Sequence, residues 1–332
     1  MGTGDMYQQL AQRIFMGDSP VIPRLFEMLA DPDEAELLLS LPATVPELAG
    51  KMDAGEGEMT EMLATLYYKG VVFKKEKPGG TLYRLCRDLM QFHDASILWP
   101  DAPREFLDLW QRFMEEEWPA FSESVDKMLP KPVTRIVPVM ESLDARQQIL
   151  AFEDVRWIIE DSDVIAVTNC TCRLTARKCD RPVEVCLQVG KAGSYAIDRG
   201  TGRDIDKDEA LRILRLSEEA GLIHTTMNRS SEMHFICNCC DDCCMVFPML
   251  IDRKLNMCDP SRFCARIDGE TCTACGDCLE RCYFGALSVD DELDAAVVDP
   301  EACMGCGLCE IVCPTGALTL EVVREKDFIP TS

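Results

Sequence analysis

Cys272, Cys275, Cys278 and Cys282, and then Cys303, Cys306, Cys309 and Cys313, repeat one spacing, C-x2-C-x2-C-x3-C. The flanks repeat with them, Phe284-Gly285-Ala286-Leu287 against Thr315-Gly316-Ala317-Leu318. Thiolates at this spacing bind iron–sulfur clusters, whereas common zinc folds space their ligands differently. Gly276, Gly305 and Gly307 let the short loops turn and approach the cluster sulfurs.

Over roughly residues 265–322 this pattern resembles the bacterial two-cluster ferredoxins. The resemblance implies two 4Fe–4S clusters with crosswise ligation, in which the fourth cysteine of each run serves the other cluster. Cluster one then takes Cys272, Cys275, Cys278 and Cys313, and cluster two takes Cys303, Cys306, Cys309 and Cys282. The first run ends Cys282-Tyr283 where the family usually has Cys-Pro, so the Tyr283 ring is placed to shield or tune the nearby cluster. Between Asp268 and Glu321 stand twelve Asp or Glu and one Arg, a field that favours a basic partner and a low reduction potential.

A second group lies upstream, with Cys170, Cys172, Cys179 and Cys186, then Cys237, Cys239, Cys240, Cys243 and Cys244. Read as an extended strand, Cys170 and Cys172 face one side and can reach one metal. Cys237, Cys240 and Cys243 reproduce C-x2-C-x2-C inside the second run. Nine thiols exceed one tetrahedral zinc site. The expectation is therefore at least one additional iron–sulfur cluster, with structural zinc or unligated thiols as alternatives. Cys258 and Cys264 are candidate extra ligands, and so are His224 and His234. Arg173, Arg177, Lys178 and Arg181 form the basic stretch that could offset an anionic cluster or bind an anionic partner. The order NCTCR, EVCL, CNCC-x2-CC and then a two-cluster ferredoxin is similar to an uncharacterised family of 4Fe–4S dicluster proteins of anaerobic bacteria and archaea. That likeness implies anaerobic electron transfer.

The expected fold is α+β. Residues 1–130 read as a helical domain with a winged-helix-like segment at about 31–85. Residues 131–162 read as linker and helix, 163–264 as a cysteine-rich α/β domain and 265–332 as the ferredoxin-like domain. Within 31–85, helices over Asp33–Leu41, from Thr44 and over Glu58–Lys69 precede a hairpin around Lys77-Pro78-Gly79-Gly80. The third helix carries Glu56, Glu58 and Glu61 and no base-reading Arg, so the segment is expected to dock protein rather than DNA. Phe106, Leu109, Trp110, Phe113 and Met114 recur at helical spacing and read as core, as does Cys86. Glu141–Ile159 is expected to be helical.

Lys and Arg total 34 against 58 Asp and Glu, a net charge of −24, which disfavours nucleic acid as a general partner. The charge suits a redox partner with a basic docking surface, and the N-terminal helices are a candidate homo-oligomer contact. No apolar run approaches the ~20 residues of a membrane span. MGTGDMYQQL lacks secretory features, so the expected location is cytoplasmic, where thiols stay reduced and serve as ligands. There is no Gly-x-Gly-x-x-Gly, no P-loop and no Cys-x3-Cys-x2-Cys run, which leaves nicotinamide, ATP and radical chemistry without a motif. The preferred function is an electron carrier or oxidoreductase subunit. The alternatives are a reductase with its catalytic cluster in the middle domain, or a redox-responsive transcription regulator.

Overall fold

The computed structural model describes residues 3–143 and 149–331. Two compact units emerge, one of residues 1–120 with 174–176 and 199–201, the other of 121–173, 177–198 and 202–332.

The first unit begins with α1 (Thr3–Arg13), α2 (Ile22–Leu29), α3 (Pro32–Leu39), α4 (Val45–Met52) and α5 (Glu56–Tyr68), followed by the hairpin β1 (Val72–Lys77) and β2 (Gly80–Leu85). Local chemistry sets these starts. Asp31 and Glu34 form a reciprocal capping box at α3, and the Thr44 backbone N–H donates to Glu47 at α4. The hairpin pairs antiparallel from Val72↔Leu85 to Lys77↔Gly80, and Ala43 bridges to Tyr83. Helices α6 (Leu89–Ile97) and α7 (Arg104–Glu116) complete the core, and α8 (Trp118–Met128) leads into the second unit. The expected aromatic stripe is core. Phe106, Trp110 and Phe113 are fully buried, Phe92 stacks on Phe26 at 4.4 Å, and Trp110 Nε1 donates to Ser96 Oγ. Cys86 is buried here, and burial pushes its thiol well above the ordinary range.

The second unit is built on a seven-stranded sheet. Its elements run β3 (Thr134–Ile136), α9 (Val155–Glu160), β4 (Ile165–Asn169), α10 (Thr171–Ala176), β5 (Glu184–Val189), α11 (Lys191–Asp198), β6 (Gly202–Asp204) and α12 (Lys207–Glu219). They continue with β7 (Ile223–Met227), β8 (Phe235–Cys239), α13 (Phe247–Ile251) and β9 (Cys258–Asp259). The strand order is β6-β4-β5-β8-β7-β3-β9, antiparallel except where β3 runs parallel to β9. Asp206 accepts from the Glu209 N–H to cap α12, which stops at Gly221 in the left-handed region.

The same unit contains the C-terminal segment. There β10 (Phe263–Ile267) pairs with β13 (Leu318–Val322), and the hairpin β11 (Leu287–Asp290) and β12 (Ala295–Val298) lies between the short helices α14 (Asp277–Glu280) and α15 (Leu308–Ile311). The expected continuous helix over 141–159 is replaced by 3-10 turns at Met140–Ser142 and Ala151–Glu153 and by α9; residues 144–148 of that expectation lie outside the described residues. The reason is tertiary. Glu153 is drawn into a buried ion pair with Arg262 at 2.6 Å, and Asp154 then caps α9 through the Arg156 N–H. No helix among the described residues is long and apolar enough to cross a membrane.

Candidate metal centres

Each cysteine run of the C-terminal segment wraps a short helix. Gly276 and Gly307 take positive φ just before α14 and α15, which present Cys278 and Cys309 in their first turns. Two small cavities of nearly equal size result. Cys272, Cys275, Cys278 and Cys313 line the first. Cys282, Cys303, Cys306 and Cys309 line the second. Every set takes three thiols from one run and the fourth from the other.

Backbone N–H groups aim at the sulfurs, Ala296 at Cys272, Ala286 at Cys282 and Ala265 at Cys303, each at 3.4 Å. Such donors stabilise thiolate charge and raise a cluster's potential. Burial pushes Cys306 up to about 12 and raises Cys278 and Cys309 as well. Burial also raises Cys313, but donation from the Thr315 hydroxyl and from backbone N–H groups outweighs it and holds that thiol below its ordinary value. Four thiols lining each of two cavities of nearly equal size fit polynuclear iron–sulfur cofactors.

The loops leave little latitude. A Cβ on Gly305, at φ +64°, would sit 2.2 Å from the Phe263 carbonyl oxygen and 2.3 Å from Ser261 Oγ. Gly305→Ala should cost the holoprotein roughly 2–3 kcal/mol, read from denaturant unfolding, because both the backbone region and the space are wrong for a side chain. An unchanged midpoint would show that the loop is not so constrained.

In the second unit's sheet, the upstream thiols divide into two groups. Cys170 follows β4 and N-caps α10, and Cys172 lies in the first turn of that helix, so the extended reading of Cys170–Cys172 does not hold. The helical turn still brings the two sulfurs together. Cys186 sits on β5, Cys237 and Cys239 share one side of β8, and Cys244 follows the next turn. Thiol–thiol hydrogen bonds link Cys170 to Cys172 and Cys186, Cys172 to Cys244, Cys244 to Cys239, Cys239 to Cys237 and Cys237 to Cys186. Six thiols thus close a ring. Cys170 is held low because Cys172 and Cys186 donate to it, and the same bonds push Cys172 and Cys186 up.

The remaining three thiols stand apart. Cys179, Cys240 and Cys243 gather with Asp242 so that their four ligand atoms all lie within 4.8 Å of one another. The C-x2-C-x2-C reading of Cys237, Cys240 and Cys243 is therefore divided, because Cys237 lies on β8 with the ring while Cys240 follows the strand's end and enters this tetrad. Arg173, buried, donates to Cys240 Sγ at 3.4 Å and to the Asn238 carbonyl. Arg181 pairs with Asp241 at 2.8 Å and Asp242 at 3.4 Å, and donates to the Tyr283 hydroxyl. Tyr283 in turn donates to the Gly221 carbonyl. Its polar end thus joins the C-terminal segment to the end of α12.

Neither histidine enters the tetrad. The ring nitrogens of His224 are taken by Asn238 and Glu218, and His234 is half-buried just before β8. Cys258 is a core thiol on β9, pushed up to about 12 by burial, while Cys264 lies beside Cys303 and is raised to about 11, first by burial. Sequence reasoning missed Asp242 as a candidate ligand. The paired acids inside Cys240-Asp241-Asp242-Cys243 were the signal that could have found it.

No curated protein sequence matches the chain. Residues 271–317, which hold all eight cysteines of the repeat, match a family model described as a 4Fe-4S dicluster domain, and the C-terminal segment is a domain of that kind.

Proposed function

We propose that the chain is an electron-transfer protein, or the electron-transfer subunit of an anaerobic redox complex, with two clusters in the C-terminal domain and a further iron–sulfur cluster in the six-thiol ring. The observation that carries this reading is the joining of three thiol groups in one compact unit, two four-cysteine cavities and the ring. Bound there, iron–sulfur clusters supply single-electron transfer. The chain's own residues do the rest. Buried sulfurs and backbone donors set the potential, and the Arg173 charge favours the thiolate of Cys170 in the ring. Cys275 is exposed, and Asp268, Glu270, Asp277 and Glu280 stand exposed around it, a rim suited to a basic partner.

In the first unit, α3, α4, α5 and the β1–β2 hairpin follow the order of a winged helix. We assign it to protein docking rather than DNA reading. Glu56, Glu58 and Glu61 are exposed along the start of α5, and Lys74 on the hairpin lies over the Tyr67 ring at 4.5 Å. DNA binding at low salt that changed with cluster oxidation would favour the regulator reading instead.

Anaerobic purification with iron and sulfide counts, then EPR on reduction, tests the proposal. About twelve irons per chain are expected, four per cluster. Cys237→Ala should remove about four irons and one EPR signal while leaving the other two. A count of about eight that Cys237→Ala does not change would remove the ring cluster from the reading.

A further inference from the structure

The geometry points to a separate mononuclear zinc site, formed by the sulfurs of Cys179, Cys240 and Cys243 and the carboxylate of Asp242. All four ligand atoms fall within 4.8 Å of one another, a spacing that suits ligands sharing one ion. In a cubane cluster each cysteine binds a different iron, which keeps its sulfurs further apart. The Cys179–Cys243 sulfur separation is 3.7 Å. A tetrahedron with metal–sulfur bonds of ~2.3 Å has an edge of about 3.8 Å, so this pair already stands at the spacing of two thiolates on one zinc.

A carboxylate oxygen of Asp242 lies within 4.8 Å of all three sulfurs, so a dication at their common centre would find three sulfurs and one oxygen around it. Cys240 and Cys243 sit on one tight turn with C-x2-C spacing, and Cys179 reaches in from the segment after α10, so the ligands come from two places in the chain, as in structural zinc sites.

Charge is supplied as well. Three thiolates and a carboxylate around a dication leave an anionic centre. The Arg173 guanidinium bonds Cys240 and the Arg181 guanidinium bonds Asp242 while also holding Asp241. These are the outer partners that orient ligands and tune a metal site. Arg181 carries the arrangement onward to Tyr283, so an ion here would fix the turn that docks the C-terminal domain. The site is distinct from the six-thiol ring, and its test reads zinc rather than iron.

Full-length protein, purified anaerobically with metals counted and the zinc K-edge X-ray absorption recorded, decides the matter. About one zinc per chain is expected, with three sulfurs at ~2.3 Å and one oxygen at ~2.0–2.2 Å. Cys179→Ser should lower zinc at least fivefold and leave iron and the EPR signals unchanged, whereas Cys237→Ser should leave zinc in place. Should Cys179→Ser fail to fold, Asp242→Cys gives an independent answer, because it should keep the zinc and convert the shell to four sulfurs. Iron lost in Cys179→Ser with zinc absent from the parent would overturn the assignment. So would a three-sulfur, one-oxygen shell that persists in Asp242→Cys.

Discussion

Replacing Cys282 with alanine should empty the cavity of Cys303, Cys306 and Cys309, although Cys282 belongs to the other cysteine run. It is the fourth thiol lining that cavity, and the Ala286 N–H is already directed at its sulfur. About four of the C-terminal domain's eight irons should be lost. Since metal binding to such a site is folding free energy, the surrounding loops should loosen too. Double variants make the pairing explicit. Cys282→Ala with Cys303→Ala should lose no more iron than either single change, because both act on one cluster. Cys282→Ala with Cys272→Ala should lose both clusters. The reverse pattern would mean that each run serves its own cluster, against the observed cavity linings.

Glu153→Ala should destabilise the second unit by about 3–5 kcal/mol, since it strands a buried guanidinium. Glu153 and Arg262 are 1% and 2% exposed and meet at 2.6 Å. Glu153 also accepts from the Leu150 N–H, while Arg262 donates to the Arg324 carbonyl, so both groups belong to the frame beside β10. The exposed Arg266–Glu321 pair, at 3.0 Å with both side chains more than half exposed, serves as the comparison. Arg266→Ala should cost no more than about 1 kcal/mol. Chemical denaturation of the holoprotein followed by cluster absorbance checks both. Equal, small effects for the two variants would show that the buried pair is not holding this region.

The eight cysteines of the repeat were legible because their spacing is local, and each loop with its helix presents three sulfurs with little help from distant chain. The same holds for α4, whose expected start at Thr44 is set by a local bond from the Thr44 N–H to Glu47. What the sequence could not show depends on partners far along the chain. Glu153 ends an apparent helix because Arg262 claims its carboxylate, and no pattern within 141–159 announces that. The nine upstream thiols read as one group because their division follows from where β8 ends, at Cys239, and from the pairing of β5 with β8 at Leu187↔Ile236. Cys170 and Cys172 were paired for the wrong reason. The strand ends at Asn169, before either cysteine, and a helical turn does the joining.

The order of strands in the sheet also bears on how the protein is made. Thr134 in β3 has its parallel partner at Cys258, so the sheet stays open at that flank until nearly all of the upstream chain has left the ribosome. Cys170, Cys172 and Cys186 emerge well before Cys237, Cys239 and Cys244, so half of the ring's sulfurs wait for the other half. Pairings between strands so distant are slow to form, because the intervening chain must first be closed into a loop. A nascent chain therefore carries an incomplete set of reduced ring thiols from Cys170 until Cys244 has been made. Its maturation belongs after translation, under conditions that keep those thiols from oxidising before metal arrives.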